Sequence, residues 1–255
     1  MMATEKWIMR ALLAILLILL GAAGPSRVAA QDRALHWDRY DIEVQVLENG
    51  DLRMTETQVI VVDQGTFRTG SRSFDTGEFG RVRNVEVREA GEPYRRGADE
   101  PGTFTASDDG QRFTLNYVFR DASATQHTMT IAYTVGRALE AAGDQVRLEW
   151  NFLCAAEDCP TIEASTLTVR LPRGVAQTAV TANASGAPMR QTQNGATLQW
   201  ELTEPGQGRQ ARLVIAFPRS SLATGALFRS DSQAAPQDQP RSNQPGAPQT
   251  PLPAP

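Results

Sequence analysis

From Tyr40 onward the chain alternates between apolar and polar positions. Tyr40, Ile42, Val44 and Val46 are separated by Asp41, Glu43 and Gln45. The same period of two recurs at Phe113, Leu115, Tyr117 and Phe119, at Met129, Ile131, Tyr133 and Val135, and at Val146, Leu148, Trp150 and Phe152. It continues through Leu167, Val169 and Leu171, then Leu198, Trp200 and Leu202, then Leu213, Ile215 and Phe217. Each stretch has one apolar and one polar face, as a strand half-buried in an antiparallel sheet requires. Turn signals fall between them: Glu48-Asn49-Gly50-Asp51, Asp108-Asp109-Gly110 and Gln193-Asn194-Gly195. Pro172 and Pro218 end strands. Past the N-terminal segment no long helical period exists; Arg137 to Ala142 reads as one helical turn. The pattern predicts an all-β antiparallel β-sandwich, or two packed β-lobes. Tyr133, Trp150 and Trp200 are its core aromatics.

One polar residue interrupts an inward row. Leu52, Met54, Glu56, Gln58, Ile60 and Val62 share a face, which buries Glu56 if that face is the inner one. Val59 and Val61 on the opposite face imply a bulge or burial on both sides. A buried carboxylate needs a partner. Arg72 and Arg68 are the candidates for a structural ion pair, Arg72 first; both lie after the next turn in GTFRTGSRSF, a segment that resembles a family pattern. The alternative is an edge strand with both charges solvated.

The termini differ from the centre. Lys6 and Arg10 precede the apolar run Ala11 to Leu20, and Val28-Ala29-Ala30 supplies small residues before Gln31. Residues 1–30 read as a signal peptide cleaved after Ala30, with an uncleaved signal anchor as the alternative. The rest then lies outside the cytoplasm, secreted or in the cell envelope. Residues 31–218 form the β domain and 219–255 a disordered Pro/Gln-rich tail, with Arg219 to Phe228 a short amphipathic piece at the junction.

An oxidising compartment changes the reading of the only two cysteines. Cys154 and Cys159 lie in WNFLCAAEDCP and are expected to form a disulfide. So small a ring stabilises by about 2 kcal/mol at best. Free thiols, metal binding and redox chemistry are the alternatives; metal needs further ligands and redox chemistry favours C-x-x-C.

Charge and motifs narrow the function classes. The net charge is −4, with no basic run and no aromatic-basic stripe, which argues against nucleic acid. Lys6 is the only lysine, so the chain beyond residue 30 has neither a Walker-type lysine nor a Schiff-base lysine. No G-x-S-x-G or H-E-x-x-H occurs. His127 begins an inward-facing strand and His36 lies near the start of the domain. The acid pairs Asp99-Glu100, Asp108-Asp109 and Glu157-Asp158 fall in turn-like stretches, where acids serve as turn formers. No catalytic residue, metal ligand or cofactor is assigned.

Several short motifs carry a family likeness. WDRYDIEVQVLENGDLRMTETQVIVV resembles the opening of the DUF2207 family, predicted bacterial membrane proteins with an extracytoplasmic N-terminal β-domain. GTFRTGSRSF, MTIAYTVGRAL, VRLEWNFL and STLTVRLP resemble its later steps. The resemblance covers residues 37 to 175, with a weaker continuation to 217. It implies a β-domain and no established activity, and the cysteine pair looks like a local addition to the family pattern. The expected function is a non-catalytic binding or structural role in the envelope. The partner is an unidentified envelope protein or glycan, and the membrane is involved only if the signal segment stays uncleaved. The alternative is an extracytoplasmic hydrolase with a loop-borne site, such as a carbohydrate-active enzyme.

Overall fold

The computed structural model describes residues 33–77, 79–153, 159–206 and 210–229. Its strands are, in chain order, β1 (Ala34–Val46), β2 (Leu52–Gln64), β3 (Thr69–Asp75), β4 (Val82–Glu89), β5 (Glu92–Pro93), β6 (Arg95–Arg96), β7 (Thr103–Asp108) and β8 (Arg112–Val118). They continue as β9 (Gln126–Val135), β10 (Leu139–Ala142), β11 (Gln145–Phe152), β12 (Thr166–Arg170), β13 (Thr181–Gly186), β14 (Met189–Asn194), β15 (Thr197–Leu202) and β16 (Ala211–Pro218). Among the described residues no helix is long and apolar enough to cross a membrane, which leaves membrane-crossing strands unaddressed. The predicted signal peptide and residues 230–255 of the predicted tail lie outside the described residues.

An eight-stranded sheet in the order β14-β15-β12-β1-β2-β9-β4-β5 is joined by two four-stranded sheets, β10-β11-β16-β13 and β3-β8-β7-β6. The alternating rows face inward as expected. Met129, Ile131, Tyr133 and Val135 of β9 are each exposed by 1% or less. The three sheets meet at Phe74 of β3, whose ring lies 5.5 Å from Tyr133 of β9 and 5.5 Å from Trp150 of β11. All three sheets contribute to one hydrophobic core. Trp200 is also buried, and its indole N–H donates to the Gln191 amide oxygen at 3.1 Å.

The pairing is not wholly antiparallel. β12 adds to the free edge of β1 in parallel, with Ile42 opposite Leu167 and Val44 opposite Val169; β6 and β7 are also parallel. Alternation specifies which face is buried and carries no information on strand direction. The expected irregularity near Val59 and Val61 falls on β1, where the register shifts between Trp37 and Arg39. The helical turn expected at Arg137 to Ala142 is absent. Arg137 takes a left-handed φ of 48° and Leu139–Ala142 pairs with β11 instead. About six residues cannot offset helix nucleation, whereas an open sheet edge supplies hydrogen bonds at once.

The domain also runs past Pro218, the boundary placed where the last alternating strand ends. Residues 219–229 form a strap across one end of the sandwich. Ala223 N–H donates to Glu48 O at 2.8 Å, Leu227 N–H to Asn49 O at 3.3 Å and Arg229 N–H to Leu139 O at 2.7 Å. Leu222 and Phe228 pack on the core, and Arg219 lies over the Phe228 ring at 4.6 Å. A β-carbon on Gly50 would stand 2.8 Å from Leu227 O, so the β1–β2 turn accepts the strap only as glycine. A chain ending at Pro218 is expected to melt several degrees below one ending at Arg229, measured by calorimetry. Equal melting temperatures would mean that the strap adds nothing.

Candidate functional site

Glu56 lies on β2, 1% exposed. It faces Ile42 of β1 on one side and Ile131 of β9 on the other. Residues two positions along on each neighbour share its face, which brings Tyr40 and Tyr133 to the carboxylate. Tyr133 Oη donates to Glu56 Oε1 and Tyr40 Oη to Oε2, each at 2.6 Å. Arg72, from β3 in the opposing sheet, donates Nε–H to both oxygens at 3.1 and 3.0 Å. Its Nη1 donates to Ser73 O at 2.9 Å, and the guanidinium lies 5.2 Å from the Phe74 ring centre. One N–H is therefore shared between two oxygens, in place of a two-armed fork. Arg68, the second candidate, is exposed and donates to Asp99 O at 2.7 Å. Burial alone would raise the Glu56 carboxyl; Arg72 and the two phenols outweigh it and hold the pKa below its ordinary value.

A second buried carboxylate, Glu89, was not singled out from the sequence. Its Oε1 lies 2.7 Å from His127 Nδ1. Its Oε2 accepts from Tyr94 Oη at 2.5 Å and Arg120 N–H at 3.1 Å. An ionised carboxylate only accepts, so His127 Nδ1 carries the hydrogen. His127 is 2% exposed, stacks on Phe119 at 3.9 Å, and leaves Nε2 buried without a hydrogen-bond partner. Burial pushes the Glu89 carboxyl up, but the Tyr94 hydroxyl, the His127 ring and the Arg120 N–H hold it below its usual range. The inward position of His127 is legible in the β9 alternation; its partner follows a weaker strand pattern and a register shift in β4.

These cores hold all four tyrosines of the chain. Burial raises each phenol above its ordinary value, reinforced by Glu56 at Tyr40, Tyr133 and Tyr117 and by Glu89 at Tyr94. A raised folded pKa contributes stability that is complete below the unfolded value near 10 and is lost as pH rises. The folded protein should therefore show no tyrosinate absorbance at about pH 11, and all four phenols should ionise together with alkaline unfolding. Phenolate signal from folded protein near pH 10 would contradict this packing.

At the strap end of the sandwich a cleft of about 640 Å³ is lined by the β1–β2 turn, the residues from Phe79 to Arg83, the Gly110 turn, the β9–β10 connection and the strap. Such a volume suits a small molecule or part of a peptide. Arg81, Arg83 and Arg137 line it, together with Asn49, Asp51 and Leu227. Close backbone approach forms the floor: Gly80 N–H donates to Gly136 O at 2.7 Å, and a β-carbon on Gly80 would meet that oxygen at 2.9 Å. Sequence reading did not assemble this cleft, because its lining comes from five separate loops.

A family model described as "Predicted membrane protein (DUF2207) N-terminal domain" matches residues 37–223. The chain belongs to the DUF2207 family. The match reaches into the strap, as the packing of residues 219–229 does. No curated protein matches the chain. Among solved structures, native yeast LTA4 hydrolase is similar at 12% identity and a TM-score of 0.45, covering 78% of this chain and 32% of that one. The M1 zinc metallopeptidase of Deinococcus radiodurans is similar at 13% identity and a TM-score of 0.38, covering 72% and 43%. The chain thus spans less than half the length of either enzyme, and likenesses of this degree transfer no activity to the DUF2207 domain.

The remaining candidates of the DUF2207 domain divide in the same way. Tyr133, Trp150 and Trp200 are core residues, 1%, 5% and 1% exposed. His36 pairs with Asp63 at 2.9 Å on the surface. Asp108 and Asp109 are turn formers: Asp108 accepts from Thr76, Val82 and Gly110, and Asp109 from Gln111 and Arg112. Cys159 is buried, while Cys154, Glu157 and Asp158 lie outside the described residues. No group of three or more His, Cys, Asp or Glu side chains able to hold a metal occurs among the described residues.

Proposed function

We propose that this DUF2207 domain acts outside the cytoplasm, in the cell envelope, as a non-catalytic binding or structural module. Its cleft would be the contact surface, and its partner an envelope protein or glycan. One observation carries this reading. Glu56 bonds to Arg72 and Glu89 to His127 inside the domain, and the cleft presents guanidinium groups and glycine backbone. Function on such folds resides in the loops that a rigid scaffold positions.

The hydrolase alternative, such as a carbohydrate-active enzyme, draws on one specific feature. Glu89 and His127 form a carboxylate–imidazole pair with a free ring nitrogen, which is half of a hydrolytic arrangement. That nitrogen is closed off from solvent beneath Phe119. Residues 31–255 incubated with cell-wall glycans and envelope proteins should yield no cleavage products by mass spectrometry. Products that disappear in His127→Gln would overturn the binding reading in favour of hydrolysis.

The same compartment supports a Cys154–Cys159 bond. Mass spectrometry of exported, unreduced protein is expected to show no free thiol and a deficit of two hydrogens. Replacing both cysteines by serine should cost only about 1–2 kcal/mol, because so short a loop constrains the unfolded chain little. Stoichiometric zinc on the purified protein would count against the bond.

A further inference from the structure

Of the three arginines that line the cleft, one is left without a partner among the described residues. Arg83 pairs with Asp51, whose carboxylate also accepts from the Asn49 amide at 2.6 Å. Arg81 donates from Nη1 to the backbone oxygen of Asp108 at 2.5 Å and forms no ion pair among the described residues, although the solvent-exposed Asp109 carboxylate feels its charge. Arg137 is exposed and has no hydrogen-bond or ion-pair partner among the described residues. It sits on disfavoured left-handed backbone between two buried residues, Gly136 and Ala138. The nearby backbone donors are already used: Gly80 N–H on Gly136 O, Gly110 N–H on Asp108 Oδ1 and Gly136 N–H on Arg81 O. An incoming anion would therefore be held by guanidinium side chains.

The lining also includes two large apolar side chains, Phe79 and Leu227. Phe79 stacks on Trp150 with ring centres 4.7 Å apart and has the Arg229 guanidinium 5.2 Å from its ring centre, while Leu227 is 55% exposed, the one exposed large hydrophobic side chain among the described residues. The chain as a whole carries a net charge of −4, so the positive region is local and does not suit a long polyanion. A planar guanidinium matches a carboxylate through two parallel N–H donors.

We propose that the cleft binds a carboxylate joined to an apolar group. Arg137, assisted by Arg81, holds the carboxylate, and Leu227 covers the apolar part. This names a ligand class for the contact surface and rests on the binding reading above. A peptide terminus and a lipid-derived acid share the chemistry.

The test uses residues 31–255 with ¹⁵N-labelled arginine. N-acetylphenylalanine, its primary amide, octanoate and inorganic phosphate are titrated separately while the arginine Nε–H resonances are followed. Saturable shifts of Arg137 and Arg81 are expected with one or both organic acids. Binding should weaken at least tenfold for the amide, and at least tenfold for both acids in Arg137→Gln at an unchanged melting temperature. Tighter N-acetylphenylalanine identifies a peptide terminus as the source, and tighter octanoate a lipid-derived acid. The proposal is overturned if the amide binds as well as the acid, if phosphate binds more tightly than either acid, or if Arg137→Gln binds like the parent. Loss of envelope capture in Arg137→Glu despite such a result would overturn this ligand class alone and leave the binding reading standing.

Discussion

Replacing Glu56 by Gln should destabilise the domain by about 2–4 kcal/mol, and Arg72→Met by a similar amount. The carboxylate is 1% exposed and joins β1, β2 and β9 of one sheet to β3 of another. Removing either charge strands the other in the interior, where water cannot replace the lost partner. The double variant should therefore cost well below the sum of the singles, read from denaturant titrations of all four proteins. Acid should act in the same direction. The folded pKa of Glu56 is depressed, so its contribution is present above the unfolded value near 4.3 and is lost as pH falls through the folded value. Additive single effects, or effects below about 0.5 kcal/mol, would show that the pair is solvated and energetically idle.

Glu89→Leu is expected to cost about 3 kcal/mol or more, because three donors converge on that carboxylate and each unsatisfied buried donor costs about 1–3 kcal/mol. The Tyr94 hydroxyl, the His127 ring N–H and the Arg120 amide lose their acceptor together. Glu89 thereby ties the β4–β5 region to the segment between β8 and β9. Adding Tyr94→Phe and His127→Leu to Glu89→Leu should recover part of the loss, since two stranded donors are removed with their acceptor. The Glu89 carboxyl is also held low in the fold, so its share of stability is lost as pH falls below its ordinary range. A triple variant less stable than Glu89→Leu by the full cost of each added change would mean that the three side chains act independently.

The strands with clean alternation were legible because a half-buried sheet imposes a period of two. Glu56 was legible for the same reason: it interrupts an apolar row, and a charge there calls for an arginine. Arg72 and the nearer Arg68 could be named because both lie in GTFRTGSRSF, the segment after the next turn that resembles the family pattern. Tyr40 and Tyr133 were placed inward but not as donors to Glu56, since that requires knowing which strands are neighbours. β9 pairs with β2 across more than sixty residues of chain, and β12 joins β1 in parallel. The strap was placed with the tail because Pro218 ends the last alternating strand; Leu222 and Phe228 suffice to seat it beside the backbone hydrogen bonds. The arginine cleft was invisible for a more basic reason. Turn residues are chosen by local backbone geometry, and nothing in a turn's sequence announces which other turns share its end of the sandwich.

The most direct test of a cleft-borne binding role is quantitative capture from the native envelope, using residues 31–255 as bait beside the Arg137→Glu variant. Arg137 is exposed and unpartnered among the described residues, so the variant should fold and melt like the parent. A specific, saturable partner retained by the parent and lost from the variant is the predicted result. Equal retention of that partner by both baits, at equal melting temperature, would contradict a binding role for the cleft.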